Sequence, residues 1–266
     1  MSLSRARIGE DAVVTWNDSD ERLAGASLAA QVAAVQARIA AAAQRAGRDP
    51  REVCLIAVSK THPVARVQQV VAAGVRHCGE NRVQEAEAKI TALSGQAHAP
   101  QWHLIGHLQR NKARRAAVLF DYIHSLDSVA LAHALNRARA EQPDLPPLPV
   151  LLQVNVSGEA SKSGFPLTGG VAAPQLPAFH AAVAEIGQLP HLAVQGLMTI
   201  APYSPDPEQA RPIFRQVGLL REHLREAFPQ LAWAQLSMGM SDDFEVAITE
   251  GATMVRVGRA IFGERS

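Results

Sequence analysis

Val53-Cys54-Leu55-Ile56-Ala57-Val58-Ser59, followed at once by Lys60-Thr61-His62, is the first of eight short apolar runs that decide the fold of this chain. The run is almost continuously aliphatic, and a strand of that kind is buried on both faces, as parallel strands are. Seven more follow at Gly74–Gly79, Trp102–Gly106, Tyr122–Leu126, Val150–Val156, Leu192–Ile200, Ala232–Ser237 and Thr253–Val257. Helical patterns lie between them, near 63–73, 81–93, 109–119, 127–141, 176–188, 206–228 and 242–250. Eight such units predict an α/β protein with a single (β/α)8 TIM barrel. A doubly wound open sheet is the alternative.

Upstream, Ser27 to about Gly47 is Ala-rich with apolar residues at helical spacing, so an additional N-terminal helix precedes the first strand. Residues 1–26 are polar and aperiodic and read as a disordered extension, which leaves 27–266 for the barrel. No linker divides the rest; Pro143–Pro149 is a loop feeding the fifth strand.

Composition narrows the function. A formal net charge of +1 and 5% aromatic residues give no case for nucleic acid or an anionic membrane. Cys54 and Cys78 sit in or beside apolar runs and read as small buried thiols, not a disulfide framework. The first 25 residues carry Glu10, Asp11, Asp18, Asp20 and Glu21 and no apolar h-region. With no apolar run long enough to span a bilayer, a cytoplasmic location is expected.

Of 26 basic residues only Lys60, Lys89, Lys112 and Lys162 are lysines. A chain that otherwise uses Arg has reason to keep a lysine where a primary amine is needed, since only an amine can become neutral and attack a carbonyl. Lys60 ends the first strand, where a barrel builds its active site. It reads either as such a nucleophile or as a snorkelling lysine at a strand end. Lys89, four residues after Glu85, reads as a solvated helical pair. Lys112 lies in a basic helix start, and Lys162 in a small-residue loop after the fifth strand.

Other polar residues follow the remaining strands. Ser237-Met238-Gly239-Met240-Ser241-Asp242-Asp243, after the seventh, reads as a phosphate cradle in which Gly239 lets the backbone approach a ligand. Asp242 with Glu245 also fits a capping box. Gly258, after the eighth strand, supplies the other half of the cradle. Arg256 lies inside an apolar strand and must meet either a carboxylate or a ligand. His103 and His107 do not share a helix face, and HExxH, zinc-spaced Cys pairs and G-x-S-x-G are all missing, so neither a metal site nor a serine nucleophile is expected.

Several segments carry a family resemblance: Ala57-Val58-Ser59-Lys60-Thr61, Gly79-Glu80-Asn81-Arg82-Val83-Gln84-Glu85, Trp102 through Lys112, Ser161-Lys162-Ser163-Gly164, Gly196-Leu197-Met198-Thr199, Leu236 through Ser241, and Val255 through Gly263. Together, across about residues 28 to 264, they resemble the YggS/PROSC family of pyridoxal phosphate homeostasis proteins. The resemblance implies a fold-type-III barrel like the N-terminal domain of alanine racemase. It implies pyridoxal 5'-phosphate (PLP) as cofactor, held as a Schiff base on Lys60. Ser241 and the backbone at Gly258 and Arg259 would hold the phosphate, with Met238 in the same segment. Arg256 would face the pyridine nitrogen, Asn81 would lie near the ring, and Lys162 would take part in cofactor exchange. Arg259 departs from the small hydroxyl residue often found there in relatives.

The same resemblance implies a cofactor carrier, with apo PLP-dependent enzymes as partners and a monomer as the expected state. The alternative is a racemase-like enzyme. Such an enzyme needs a second base opposite the lysine, and of the two tyrosines, Tyr122 and Tyr203, only Tyr203 falls in a site-side loop.

Overall fold

The eight apolar runs form eight strands, and all of them pair in parallel. The computed structural model describes residues 27–96 and 98–263; the expected extension over 1–26 lies outside the described residues. The strands are β1 (Cys54–Val58), β2 (His77–Glu80), β3 (Gln101–Leu104), β4 (Tyr122–Leu126), β5 (Leu148–Asn155), β6 (Leu192–Met198), β7 (Gln235–Ser237) and β8 (Met254–Val257). β1 pairs with β2 on one side and with β8 on the other, in register Cys54↔Met254 through Ala57↔Val257. The β4–β5 pairing closes the ring. That closure makes a TIM barrel and removes the open-sheet alternative. A two-residue segment, Phe165–Pro166, adds to the end of β5.

Some strands are shorter than their apolar runs. The second run begins only at His77, because Gly74, at φ +97°, turns the chain out of α2 (Val64–Ala72). Around the ring stand α3 (Val83–Leu93), α4 (Ala113–Leu119), α5 (Val129–Ala140), α6 (Leu176–Ile186), α7 (Arg211–Ala227), α8 (Phe244–Thr249) and a short α9 (Arg259–Phe262) that the pattern reading lacked. The N-terminal helix α1 (Leu28–Arg45) is capped by Ser27, whose Oγ accepts from the Ala30 N–H at 3.3 Å. Its buried stripe, Val32, Val35, Ile39, Ala42 and Ala43, packs against α8 and α9. Arg38 fixes that contact with two hydrogen bonds to Glu245 and with its guanidinium 4.5 Å from the Phe244 ring centre.

Strand side chains alternate between two cores. Ile56, Leu151, Met198 and Met254, with Cys54, Tyr122 and Ile200, fill the barrel interior. The much larger cluster, including Ala57, Cys78, Trp102, Ile123, Val150 and Val255, lies between the wall and the helices. Among the described residues no helix is long and apolar enough to cross a membrane.

Candidate functional site at the C-terminal mouth of the barrel

Lys60 leaves β1 on the barrel-interior parity of Cys54, Ile56 and Val58, so it enters the mouth rather than the helix layer. The next residue, Thr61, has φ +68° and is the one non-glycine with positive φ among the described residues. A left-handed threonine is strained, and such strain persists only where the surroundings over-determine it. Here the Thr61 N–H donates to Glu85 Oε1. The same oxygen accepts from Lys89 Nζ at 2.8 Å, and Lys89 also donates to Glu80 Oε1 and to the Ser59 carbonyl, both at 2.7 Å. Ser59 Oγ closes the cluster on Glu80 at 2.6 Å. Lys89 is therefore not the solvated partner that its i,i+4 spacing suggests: it is 4% exposed, between α3 and the wall under the Lys60 turn. Burial raises the Glu80 carboxyl above the ordinary range, against the pull of Lys89 and Ser59; Glu85, nearer solvent, is lowered by Lys89 and the Thr61 N–H.

A cavity of about 500 Å³ opens beside Lys60. Val58, Ile105, Ile200 and Met240 supply its apolar surface; Lys60, Asn81, Ser241, Arg256, Gly258 and Arg259 supply amine, amide, hydroxyl, guanidinium and backbone groups. Residues from six strand ends thus converge on one space. Asn81 can sit there because Gly106 has no side chain: a Cβ on Gly106 would fall 2.4 Å from the Asn81 carbonyl oxygen. His62, stacked on Phe262 with ring centres 4.5 Å apart, lines the rim.

The segment after β7 differs from its sequence reading. Gly239 has φ +92°, and a Cβ there would meet Ala247 at 2.6 Å and the Phe244 backbone at 2.8 Å. The close approach that this glycine permits is to α8. No capping box forms: Glu245 pairs with Arg38, Asp242 pairs with Arg259, and Asp243, at the N-cap of α8, accepts from the Met240 N–H at 2.6 Å. Met238 is buried in the outer core, and Met240 reaches the cavity in its place. Ser241 Oγ accepts from the Ala260 N–H at 3.3 Å, which joins the two halves of the expected cradle. Lys162 does not line the cavity; its Nζ bonds the carbonyl of Ile200, a lining residue, at 3.2 Å and pairs with Glu159 at 2.9 Å. Tyr203 is 78% exposed on neighbouring clefts, and Tyr122 is inside the barrel.

Arg256 is 4% exposed. Of the two partners expected for it, the carboxylate is not in ion-pair contact among the described residues. Nη1 donates to Ser237 Oγ at 2.6 Å and Nη2 to the Thr199 carbonyl at 2.8 Å, and the residue lines the cavity. Burial lowers its pKa to about 10, with Asp243 opposing, so it stays a cation near neutral pH. Behind Ser237 stand three histidines, His124, His103 and His77, that the sequence reading did not assemble. Each occupies an interior position of its strand, and a polar side chain at such a position, like Arg256, must find a partner inside the barrel.

The donor set fits a phosphorylated aldehyde with an aromatic ring: one amine, a hydroxyl and helix-start backbone for an anion, and an apolar wall. The family described as alanine racemase, N-terminal domain, matches residues 31–266. A pyridoxal phosphate homeostasis protein of Pseudomonas aeruginosa is 48% identical over 241 residues, covering 90% of this chain and 96% of its own. Its namesake in Escherichia coli K12 is 43% identical over 241 residues, with 90% and 97% covered. PipY of Synechococcus elongatus PCC7942, solved with PLP bound, superposes with a TM-score of 0.74 at 39% identity over 89% of this chain and 100% of its own. Alanine racemase of Clostridium difficile 630 shares the fold alone, with a TM-score of 0.65 at 13% identity over 89% of this chain and 57% of its own.

Proposed function

Because the chain belongs to the alanine racemase N-terminal-domain family and, within it, to the pyridoxal phosphate homeostasis proteins, we propose that it binds PLP through Lys60 and serves the storage or delivery of that cofactor. The carrying observation is the convergence of Lys60, Asn81, Ser241, Arg256, Gly258 and Arg259 on one cavity of a size that suits a small cofactor. PLP supplies an aldehyde that a neutral primary amine attacks, with loss of water. Lys60 is the amine at the mouth, and its strand-end turn is held by the buried cluster beneath it. Ser241 and the backbone at Gly258 and Arg259 take the phosphate. Arg259 neutralises Asp242, which would otherwise repel an anion there. Asn81 takes the edge of the ring, and Lys162, tied to the rim through Ile200, assists exchange.

Arg256 can only donate, so opposite a ring nitrogen it would leave that nitrogen unprotonated and the ring a weaker electron sink, which favours storage without excluding racemisation. Neither tyrosine lines the cavity to act as a second base. This reading has apo PLP-dependent enzymes as partners of a cytoplasmic monomer, with no role on nucleic acid or membranes.

Borohydride reduction of the PLP-loaded protein, followed by peptide mass mapping, tests it. The expected adduct is on Lys60; an adduct on Lys89, Lys112 or Lys162 instead, or none, overturns the assignment. Loaded protein given single L-amino acids should exchange α-protons far more slowly than ~1 per second. Faster exchange would make it an enzyme.

A further inference from the structure

A continuous hydrogen-bonded line crosses the barrel interior from the N-terminal end of β2 to the cavity. His77 Nδ1 is 3.0 Å from His103 Nε2, His103 Nδ1 is 2.9 Å from His124 Nε2, and His124 Nδ1 is 2.8 Å from Ser237 Oγ. Arg256 Nη1 then donates to Ser237 Oγ at 2.6 Å. His103, His124, Ser237 and Arg256 are all buried; His77 is half-buried and borders a cleft at the opposite end of the barrel from Lys60.

The protons in this line have one consistent arrangement. A guanidinium has no acceptor, so Ser237 Oγ must accept from Arg256. Ser237 is fully buried and His124 Nδ1 is the one acceptor within reach of its hydroxyl among the described residues, so the O–H donates there and His124 Nδ1 is unprotonated. A neutral His124 carries its proton on Nε2 and donates to His103 Nδ1. His103 is thereby also the Nε2–H form and donates to His77 Nδ1. Each group of the line turns its acceptor atom toward Arg256 and its O–H or N–H away from it. That is the orientation that solvates a buried cation without a paired carboxylate.

We propose that Ser237, His124, His103 and His77 are positioning residues that hold Arg256 as a fixed donor on the cavity floor, and that Arg256 in turn locks all three histidines in the Nε2–H form. The groups facing the line are Tyr122, stacked on His103 with centres 5.3 Å apart, Cys54 near it, Asp121 near His77 and Asp243 near Arg256. Burial pushes His103 down to about 3 and His124 well below its ordinary value, which agrees with a neutral line. The role toward the ring nitrogen rests on the PLP reading above; the tautomer lock does not.

Two measurements separate them. Long-range ¹⁵N–¹H NMR of histidine-labelled protein without cofactor should show Nε2–H tautomers at His77, His103 and His124, and mixed tautomers in Arg256→Met. An Nδ1–H form at His103 or His124 in the parent, or no change in Arg256→Met, overturns the lock. PLP titration of Ser237→Ala should show roughly tenfold weaker binding than the parent, with inorganic phosphate binding unchanged and recovery in Ser237→Thr. Equal PLP affinity in parent and Ser237→Ala overturns the positioning role and leaves PLP binding standing. A parent that fails to take up PLP, with the tautomers as described, sinks the cofactor reading and keeps the lock.

Discussion

Two buried cations stand on either side of the same barrel wall, and they are held in opposite ways. Lys89, outside the wall, is compensated by charge: Glu80 and Glu85 share its ammonium, with Ser59 contributing a carbonyl. Arg256, inside the wall, is compensated by dipoles: a serine, a backbone carbonyl and, beyond the serine, three neutral histidines. The difference follows from what each cation faces. Lys89 meets only protein, so full charge pairing is harmless. Arg256 lines a cavity, and a carboxylate bonded to it would occupy the donor it presents there. A chain of dipoles keeps the charge solvated on one side and available on the other.

The charged cluster should be the more fragile. Lys89→Met removes the one cation that serves two carboxylates and leaves Glu80 buried without it. Loss of one partner from a buried pair costs about 3–5 kcal/mol. Denaturant unfolding should show a loss of that size, and most of it should return in the double variant Lys89→Met/Glu80→Gln, whose amide no longer carries a charge. A single variant within 1 kcal/mol of the parent would mean that solvent reaches the cluster.

The neutral line should break more gently. His124→Leu leaves Ser237 Oγ and His103 Nδ1 each short of one bond, at about 1–3 kcal/mol. Unfolding of the two single variants under one set of conditions therefore ranks the devices. If His124→Leu costs more than Lys89→Met, the dipolar line carries more of the fold than its uncharged bonds imply.

How far these clusters were legible depends on the direction in which their bonds run. Parallel α/β strands were plain, because near-continuous runs such as Val53–Ser59 and Val150–Val156 suit little else, and the strand-end position of Lys60 and Asn81 followed from strand order alone; closure into a barrel rather than an open sheet rests on the β4–β5 pairing. Lys89 was misread because i,i+4 spacing reports its distance to Glu85 along α3 but not which way that face points; Glu80, nine residues earlier, decides it. The capping box at Asp242 and Glu245 was a local pattern overridden by two distant arginines, Arg259 and Arg38. The histidine line joins β2, β3, β4 and β7, and bonds between strands far apart in sequence leave no spacing to read. The contact of Gly239 with α8 was not legible, because that helix packs back on the glycine only in three dimensions.

The two devices also respond differently to acid. An unfolded histidine takes up a proton near its ordinary value of 6.5, whereas folded His77 and His124 are lowered and His103 holds out to about 3. The unfolded state therefore binds more protons below about pH 6.5. The stability contributed by the line is fully present above that pH and is lost as pH falls, by at most about 1.4 kcal/mol per pH unit for each histidine. Glu80, raised by burial, works in the opposite sense, since the folded state protonates it first. His180, lowered by partial burial and then by His223 on the α6–α7 surface, adds a slope of the same sign to any variant that retains it. Between about pH 6.5 and 5, His124→Leu should thus show a shallower loss of stability than the parent. Parallel profiles would mean that His124 is protonated in the folded protein, which the neutral line does not allow.

The smallest effect on stability should come from the turn that the charged cluster supports. Thr61 sits at φ +68°, which costs a non-glycine residue about 1–2 kcal/mol. Thr61→Gly relieves that strain but adds about 0.4–1 kcal/mol of unfolded-chain entropy to be lost on folding. The bond to Glu85 is made by the backbone N–H and survives the change. These contributions offset to within about 1 kcal/mol, so the melting temperature should hardly move. PLP affinity should fall a few-fold nonetheless, because the glycine turn no longer pre-sets the direction in which Lys60 leaves β1. If affinity stays constant while Lys89→Met still weakens it, the cluster acts on Lys60 by holding β1 against β2, and the left-handed turn is incidental to the site.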